Sequence, residues 1–207
     1  MAAHWPSRRW MPCLSFELAS NVKGSRPGPG QKAMKSLHLL RHAKSSWKDP
    51  GLNDHDRPLN KRGRQTAKMM AAYLRRAKIV PDVVICSTAL RAQQTLDPII
   101  KTTKKAPRIV LAREIHDGAQ RTLWEQLWNL PEAAACVLLI GHNPALQDLA
   151  LELAHAELNK LQPAADGKFP TGAMASFRFD GPWKALEPHG AVLASFVTPR
   201  ALSGRTR

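Results

Sequence analysis

Three short stretches of this sequence carry residues suited to phosphate chemistry: Arg41-His42-Ala43-Lys44-Ser45, Ser87-Thr88-Ala89-Leu90-Arg91 and Gly141-His142-Asn143-Pro144. Each follows an apolar run. Two guanidiniums hold a planar or tetrahedral oxyanion through paired donors. An imidazole beside them can attack phosphorus, and the resulting phosphoenzyme splits one difficult displacement into two easier ones. The attacking nitrogen must be neutral, which flanking arginines favour by opposing protonation. Other reaction classes lack support. The chain has no CxxC pair and no HExxH, so neither a structural zinc site nor a zinc peptidase has sequence support, and neither a hydrolytic metal nor a cofactor is expected.

The surrounding pattern must position these residues. Leu37-His38-Leu39-Leu40 reads as a buried strand leading into Arg41. Asn60 caps a helix running to about Lys78, with Ala67, Met70, Ala71 and Leu74 on one face. Residues 83–86 form a second buried strand, a helix follows from Thr88 to about Thr103, and 109–111 gives a short third strand. Thr122 with Glu125 makes a capping-box pattern ahead of the stripe Leu123, Leu127 and Leu130. Residues 136–140 are the next strand, after which Asn143-Pro144 reads as the N-cap and first position of another helix.

Apolar strands alternating with helices predict a three-layer α/β/α sandwich around a mostly parallel sheet. The alternation in 173–179 and the run at 191–197 predict an antiparallel C-terminal edge. Open sheets of this kind bind ligands at the carboxyl ends of their strands. Arg41, His42, Arg91 and His142 are therefore expected to converge on one edge. The helix beginning near Thr88 would aim its free N–H groups at the same place.

Composition limits the alternatives. The chain of 207 residues is 43% hydrophobic and 23% charged, which suits one packed domain and excludes wholesale disorder. No apolar run approaches the roughly 20 residues of a membrane-spanning helix. Lys and Arg exceed Asp and Glu by 31 to 16, a net charge of +15 that would attract polyanions. The surplus is dispersed, however, and no helix-turn-helix, RNP or zinc-finger pattern accompanies it, so nucleic acid is not an expected partner. Residues 1–33, with Gly24-Ser25-Arg26-Pro27-Gly28-Pro29-Gly30, read as a disordered basic extension, residues 34–199 as the domain, and 200–207 as a basic tail. Cys86 and Cys136 are expected as buried thiols. With no secretory segment, the expectation is a cytoplasmic monomer without membrane attachment.

At the motifs quoted above the sequence resembles the histidine phosphatase superfamily, of phosphoglycerate mutase-like fold, whose signature is an Arg-His-Gly triplet after the first strand. Here the triplet is Arg41-His42-Ala43. Together with Asp56-Arg57-Pro58-Leu59-Asn60, Gly63 and Ser87 to Thr95, it is similar to the small SixA-type phosphohistidine phosphatases over about Met34 to Val197. The resemblance implies that His42 becomes phosphorylated, that Arg41 and Arg91 hold the phosphoryl oxygens, and that His142 donates to them. Arg57 and Ser45 are candidates for an outer phosphate contact. Larger relatives supply a carboxylic acid for the leaving oxygen. Glu114 and Asp117 lie in the right interval, but neither sits in a recognisable acid motif.

An imidazole leaving group needs such an acid less than an alkoxide does. The short cover segments 112–121 and 157–171 imply a shallow site. Both features favour a phosphohistidine-bearing protein as substrate, with small phosphoesters as the alternative and a non-catalytic phosphate-recognising module as a third reading. His38 is expected to be a satisfied core histidine, His4, His55, His155 and His189 surface residues, and Trp124 with Trp128 packing residues. His116 stands near the crevice without a motif of its own.

Overall fold

In the protein's computed structural model, residues 34–154 and 169–204 are described. The expected N-terminal extension, His4, His155 and most of the segment 157–171 lie outside them. The strands are β1 (Met34–Arg41), β2 (Val83–Ser87), β3 (Arg108–Ala112), β4 (Cys136–Gly141), β5 (Met174–Asp180) and β6 (Val192–Val197). The helices between them are α1 (Lys61–Arg76), α2 (Leu90–Thr102), α3 (Glu114–Asp117), α4 (Gln120–Trp128) and α5 (Ala145–Ala154). The sheet order is β3-β2-β4-β1-β5-β6. Four strands run parallel, while β5 pairs antiparallel with β1 and β6 antiparallel with β5. This is the expected three-layer α/β sandwich with its antiparallel C-terminal edge.

The period-two geometry of a strand explains the layers. Leu37, Leu39, Val83, Ile85, Val137, Leu139, Ala175 and Phe177 face one side, against Leu123 and Leu127 of α4 and Leu146, Leu149 and Leu153 of α5. Leu40, Val84, Cys86, Leu138, Ile140 and Met174 face the other, against Met70, Ala71 and Leu74 of α1 and Ala92, Leu96 and Ile99 of α2. Fully burying each large aliphatic side chain stabilises the fold by roughly 1.5–3 kcal/mol, so both faces of β1, β2 and β4 must be apolar. His38 sits in this core with Nδ1 2.9 Å from Ser176 Oγ, as a satisfied buried histidine. Cys86 is a buried thiol and Cys136 a half-buried one. Among the described residues no helix is long and apolar enough to cross a membrane.

Several local expectations are corrected. β3 lies at the sheet edge, which leaves Ile109 44% and Leu111 52% exposed despite their apolar character. Helix α2 begins at Leu90 rather than Thr88, since Ala89 stays extended and its N–H bonds to Ser87 Oγ. Thr122 does not cap α4. The helix starts at Gln120, two positions before Thr122, whose side chain packs so close to Gly118 that a Cβ there would meet Oγ1 at 2.7 Å. Asn143 does not cap α5 either: Asn143–Pro144 is a cis peptide, Asn143 Oδ1 accepts nothing among the described residues, and its Nδ2 donates to Gln147 Oε1 and the Phe169 carbonyl. Residues 199–202, expected at the start of a tail, form a short helix capped by Thr198, with Leu202 packed on the α1–α2 side.

The loop after β1 is stitched to the start of α1. Ser46 N–H donates to the Pro58 carbonyl, Asn60 N–H to the Lys44 carbonyl, and Ser45 bridges Leu59. Asn60 caps α1 as expected, its Oδ1 accepting from Gly63 N–H at 2.8 Å. Gly63 is required here by proximity, because a Cβ would stand 2.1 Å from the Lys44 carbonyl oxygen. The main chain following His42 is thereby clamped from below.

Candidate active site

Strand register sets the site. Arg41 of β1 is aligned with Gly141 of β4, so His42 and His142 emerge side by side, one residue beyond the aligned pair. His42 N–H extends the ladder to the Gly141 carbonyl at 3.1 Å, and the two imidazole centroids are 4.8 Å apart. On the other flank of β4, Cys86 is aligned with Ile140, which places Ser87 at the same level. Ser87 Oγ lies 2.8 Å from His142 Nε2. Parallel pairing of β2, β4 and β1 thus delivers three polar ends to one edge.

His42 is buried, and its Nδ1 lies 2.7 Å from the Ala43 carbonyl oxygen. A carbonyl only accepts, so Nδ1 carries the hydrogen and Nε2 carries the lone pair of a neutral ring. Desolvation pushes the His42 pKa down to about 4; the Ala43 hydrogen bond opposes this, and Arg91, Arg41 and Arg57 push it further down. Ala43 N–H donates to Thr95 Oγ1, whose hydroxyl donates to the Arg91 carbonyl, so the strand end is tied to α2. Ala43 itself is fully buried.

His142 is also held neutral, its pKa lowered to about 2 by burial first and by His42 and Arg91 next. Ser87 Oγ already accepts the Ala89 N–H, leaving its own hydrogen to turn onto His142 Nε2. The ring hydrogen then sits on Nδ1, a buried nitrogen without a hydrogen-bond partner among the described residues. Arg41 Nε is buried in the same condition, while its NH1 donates to the Phe169 carbonyl at 2.6 Å. Two uncommitted donors beside a bare imidazole nitrogen suit a group rich in acceptor oxygens.

The remaining guanidiniums share a carboxylate. Arg57 is buried; its Nε donates to the Ser46 carbonyl, NH2 to Ser45 Oγ, and NH1 to Asp54 Oδ1. Arg91, near the N-terminus of α2, donates from NH2 to Asp54 Oδ2 at 2.7 Å and from NH1 to the Asp54 main-chain oxygen. Although desolvation would raise it, the Asp54 pKa is held well below the ordinary carboxylate value by hydrogen bonds from Arg57, Arg91 and His116. Beside Arg57 a hollow of about 280 Å³ is lined by Trp47, Pro50, Leu52 and Asp54, and the Arg57 guanidinium stacks on the Trp47 ring.

The structure therefore gathers Arg41, His42, Arg91 and His142, and it adds Arg57 and Ser45 at the rim. Asp117 lies on α3 with its carboxylate on His116 Nδ1. Glu114 is exposed at the first position of α3, and no hydrogen bond joins it to the cluster among the described residues. Three contributors carry no motif in sequence. Asp54 bridges two arginines, His55 reaches Thr88 Oγ1 at 2.9 Å, and the His116 ring lies 5.2 Å from that of His142. His55, expected on the surface, is half-buried against this cluster because its 3₁₀ turn folds over the N-terminus of α2. Trp124 and Trp128 stack on each other at 5.7 Å and serve packing, as expected.

Three buried neutral histidines give the fold a defined acid sensitivity. His38 and His42 are held near 4 and His142 near 2, all below the ordinary 6.5. Below pH 6.5 the unfolded chain takes up protons that the native state refuses until its lowered values are reached. Stability is therefore fully present above about pH 6.5 and falls as the pH falls toward 4, by several kcal/mol in order of magnitude. Thermal melts from pH 7 to pH 4.5 should show a steadily falling Tm. A flat profile would contradict the neutral assignment.

The chain is similar to known proteins in sequence and in fold. A family model described as the histidine phosphatase superfamily (branch 1) matches residues 37–127. The uncharacterized protein Rv1276c of Mycobacterium tuberculosis (strain ATCC 25618 / H37Rv) is 37% identical over 163 residues, covering 78% of this chain and all of the relative. A SixA-assigned phosphatase structure from Nakamurella multipartitia superposes with a TM-score of 0.69 at 28% identity, over 82% of this chain and 99% of that one. The protein histidine phosphatase SixA complexed with tungstate superposes with a TM-score of 0.66 at 25% identity, over 81% and 99% of the two chains.

Proposed function

The chain belongs to the histidine phosphatase superfamily, in its SixA-type group, and on that premise we propose that it hydrolyses phosphohistidine through a phosphoenzyme at His42. The observation that carries the reading is the His42 ring itself. Its Nδ1 is fixed on the Ala43 carbonyl, and its Nε2 is bare and neutral among Arg41, Arg57 and Arg91. In the first step Nε2 attacks phosphorus and the bond to the leaving group breaks. In the second, water attacks the phosphoenzyme and the electron pair returns to Nε2. Arg41, Arg91 and His142 stabilise the charge that gathers on the equatorial oxygens. Arg57 and Ser45 steady the rim. The tungstate complex of the related SixA supports a site shaped for a tetrahedral oxyanion.

Substrate class follows from access. The hollow beside Arg57 opens onto an exposed Trp47, which suits a phosphorylated side chain presented by another protein in the cytoplasm. Three guanidiniums supply the positive charge that a metal would otherwise provide. The test compares kcat/KM on a phosphohistidine peptide with that on sugar and nucleotide phosphates, all in the presence of a chelator. The P–N substrate should lead, and alkaline quenching should trap a base-stable, acid-labile phosphoryl group on the protein. Activity that vanishes with chelator, or a sugar phosphate that leads by tenfold, would refute the reading.

A further inference from the structure

The mouth of the site holds a further imidazole whose surroundings the phosphoryl-transfer step leaves unexplained. His116, on α3, is 11% exposed at its side chain. Its Nδ1 meets Asp117 Oδ1, and its Nε2 lies 3.1 Å from Asp54 Oδ2 and 3.3 Å from Arg91 NH2. His55 and His142 face its ring at 5.1 and 5.2 Å. Each ring nitrogen thus faces a carboxylate oxygen. Both contacts are hydrogen bonds only when both nitrogens carry a hydrogen, and that is the form able to give one away. Arg91 NH2, which can only donate, lies 3.3 Å from the same Nε2; the contact is no hydrogen bond in this form, and it sets the nitrogen beside the guanidinium where a departing group on a bound phosphoryl would pass.

We propose that His116, oriented by Asp117, is the proton donor to the leaving oxygen, which adds hydrolysis of unactivated phosphate monoesters to the P–N reaction. In the first step the bond from phosphorus to His42 Nε2 forms, the P–O bond breaks with its electron pair, and the Nε2 hydrogen of His116 passes to that oxygen. His116 is left neutral with its Nδ1 hydrogen on Asp117. In the second step water attacks phosphorus, its hydrogen returns to His116 Nε2, and the electron pair goes back to His42. One water is consumed and one alcohol and one phosphate are released. Asp117 is a positioning residue here, which explains a carboxylate in this interval that does not itself reach the phosphate donors.

This inference rests on His42 as nucleophile, and leaving-group dependence separates the two. His116→Gln, Asp117→Asn and wild type are compared on ethyl phosphate, p-nitrophenyl phosphate and a phosphohistidine peptide. A proton donor matters most for the poorest leaving group. His116→Gln is therefore expected to lose about 10²-fold or more on ethyl phosphate and under about threefold on p-nitrophenyl phosphate. Asp117→Asn should show the same dependence at smaller size. Retained p-nitrophenyl phosphate turnover also reports an intact site. An equal loss on all substrates, no loss on ethyl phosphate, or a wild type that fails to cleave it would overturn the proposal. Turnover of p-nitrophenyl phosphate that survives His42→Ala would instead overturn the nucleophile.

Discussion

Replacing His42 by alanine is expected to lower kcat by roughly 10⁴- to 10⁶-fold, the range seen when a covalent nucleophile is removed and only the binding groups remain. No neighbour can substitute. His142 is held by Ser87 and lacks the main-chain anchor that fixes the His42 tautomer. Glu114 is exposed, and Asp117 is committed to His116. The variant should fold, because the lost ring gives up one hydrogen bond to its own strand end and a buried group that is costly to charge. Equal secondary-structure content and a Tm near wild type, combined with loss of both turnover and the trapped phosphoryl group, are the expected result. A variant retaining a tenth of wild-type kcat would remove His42 from the chemistry.

Arg91→Ala is expected to cost about 10³-fold in kcat/KM, within the span for losing a positioned donor or cation at a transferring phosphoryl group. The guanidinium sits at the start of α2, where the helix N-terminus adds to its charge, and it acts on His42, His142 and Asp54 together. Stability should change little, since Asp54, its ionic partner, is 51% exposed at the side chain and keeps Arg57. Arg91→Lys restores charge without the two-pronged geometry and should recover only part of the rate. Equal kcat/KM in Arg91→Lys and wild type would show that charge alone suffices there.

The portions of the fold legible in sequence are those where one physical demand dominates. β1, β2 and β4 are buried on both faces, so their apolar runs announced both their positions and their parallel pairing. The alignment of polar residues after each run then predicted that His42 and His142 would meet, and register made them neighbours. Where two demands compete, pattern misleads. β3 is apolar yet half exposed because edge position cannot be read from composition. Thr122 and Asn143 have the chemistry of caps, but close packing at Gly118 and the contacts of Asn143 with Gln147 and Phe169 decide otherwise. Asp54 and His55 lie in a 3₁₀ turn and His116 in the short helix α3, and their approach to the site depends on tertiary folding. The spacing of Asp54 from Arg57 and the place of His116 after the third strand were the hints in sequence, and neither is a motif.

The sharing of Asp54 between Arg57 and Arg91 bears on how tightly the resting enzyme holds its own product. Both guanidiniums already have a carboxylate to satisfy them, so an incoming phosphate gains only the difference between its bonds and those it displaces. Inorganic phosphate, whose charge is spread and static, gains little by that exchange. A transferring phosphoryl group, with more charge on its equatorial oxygens, gains more. On the proposed reaction, the internal carboxylate would therefore trade ground-state affinity for turnover and limit inhibition by the phosphate released.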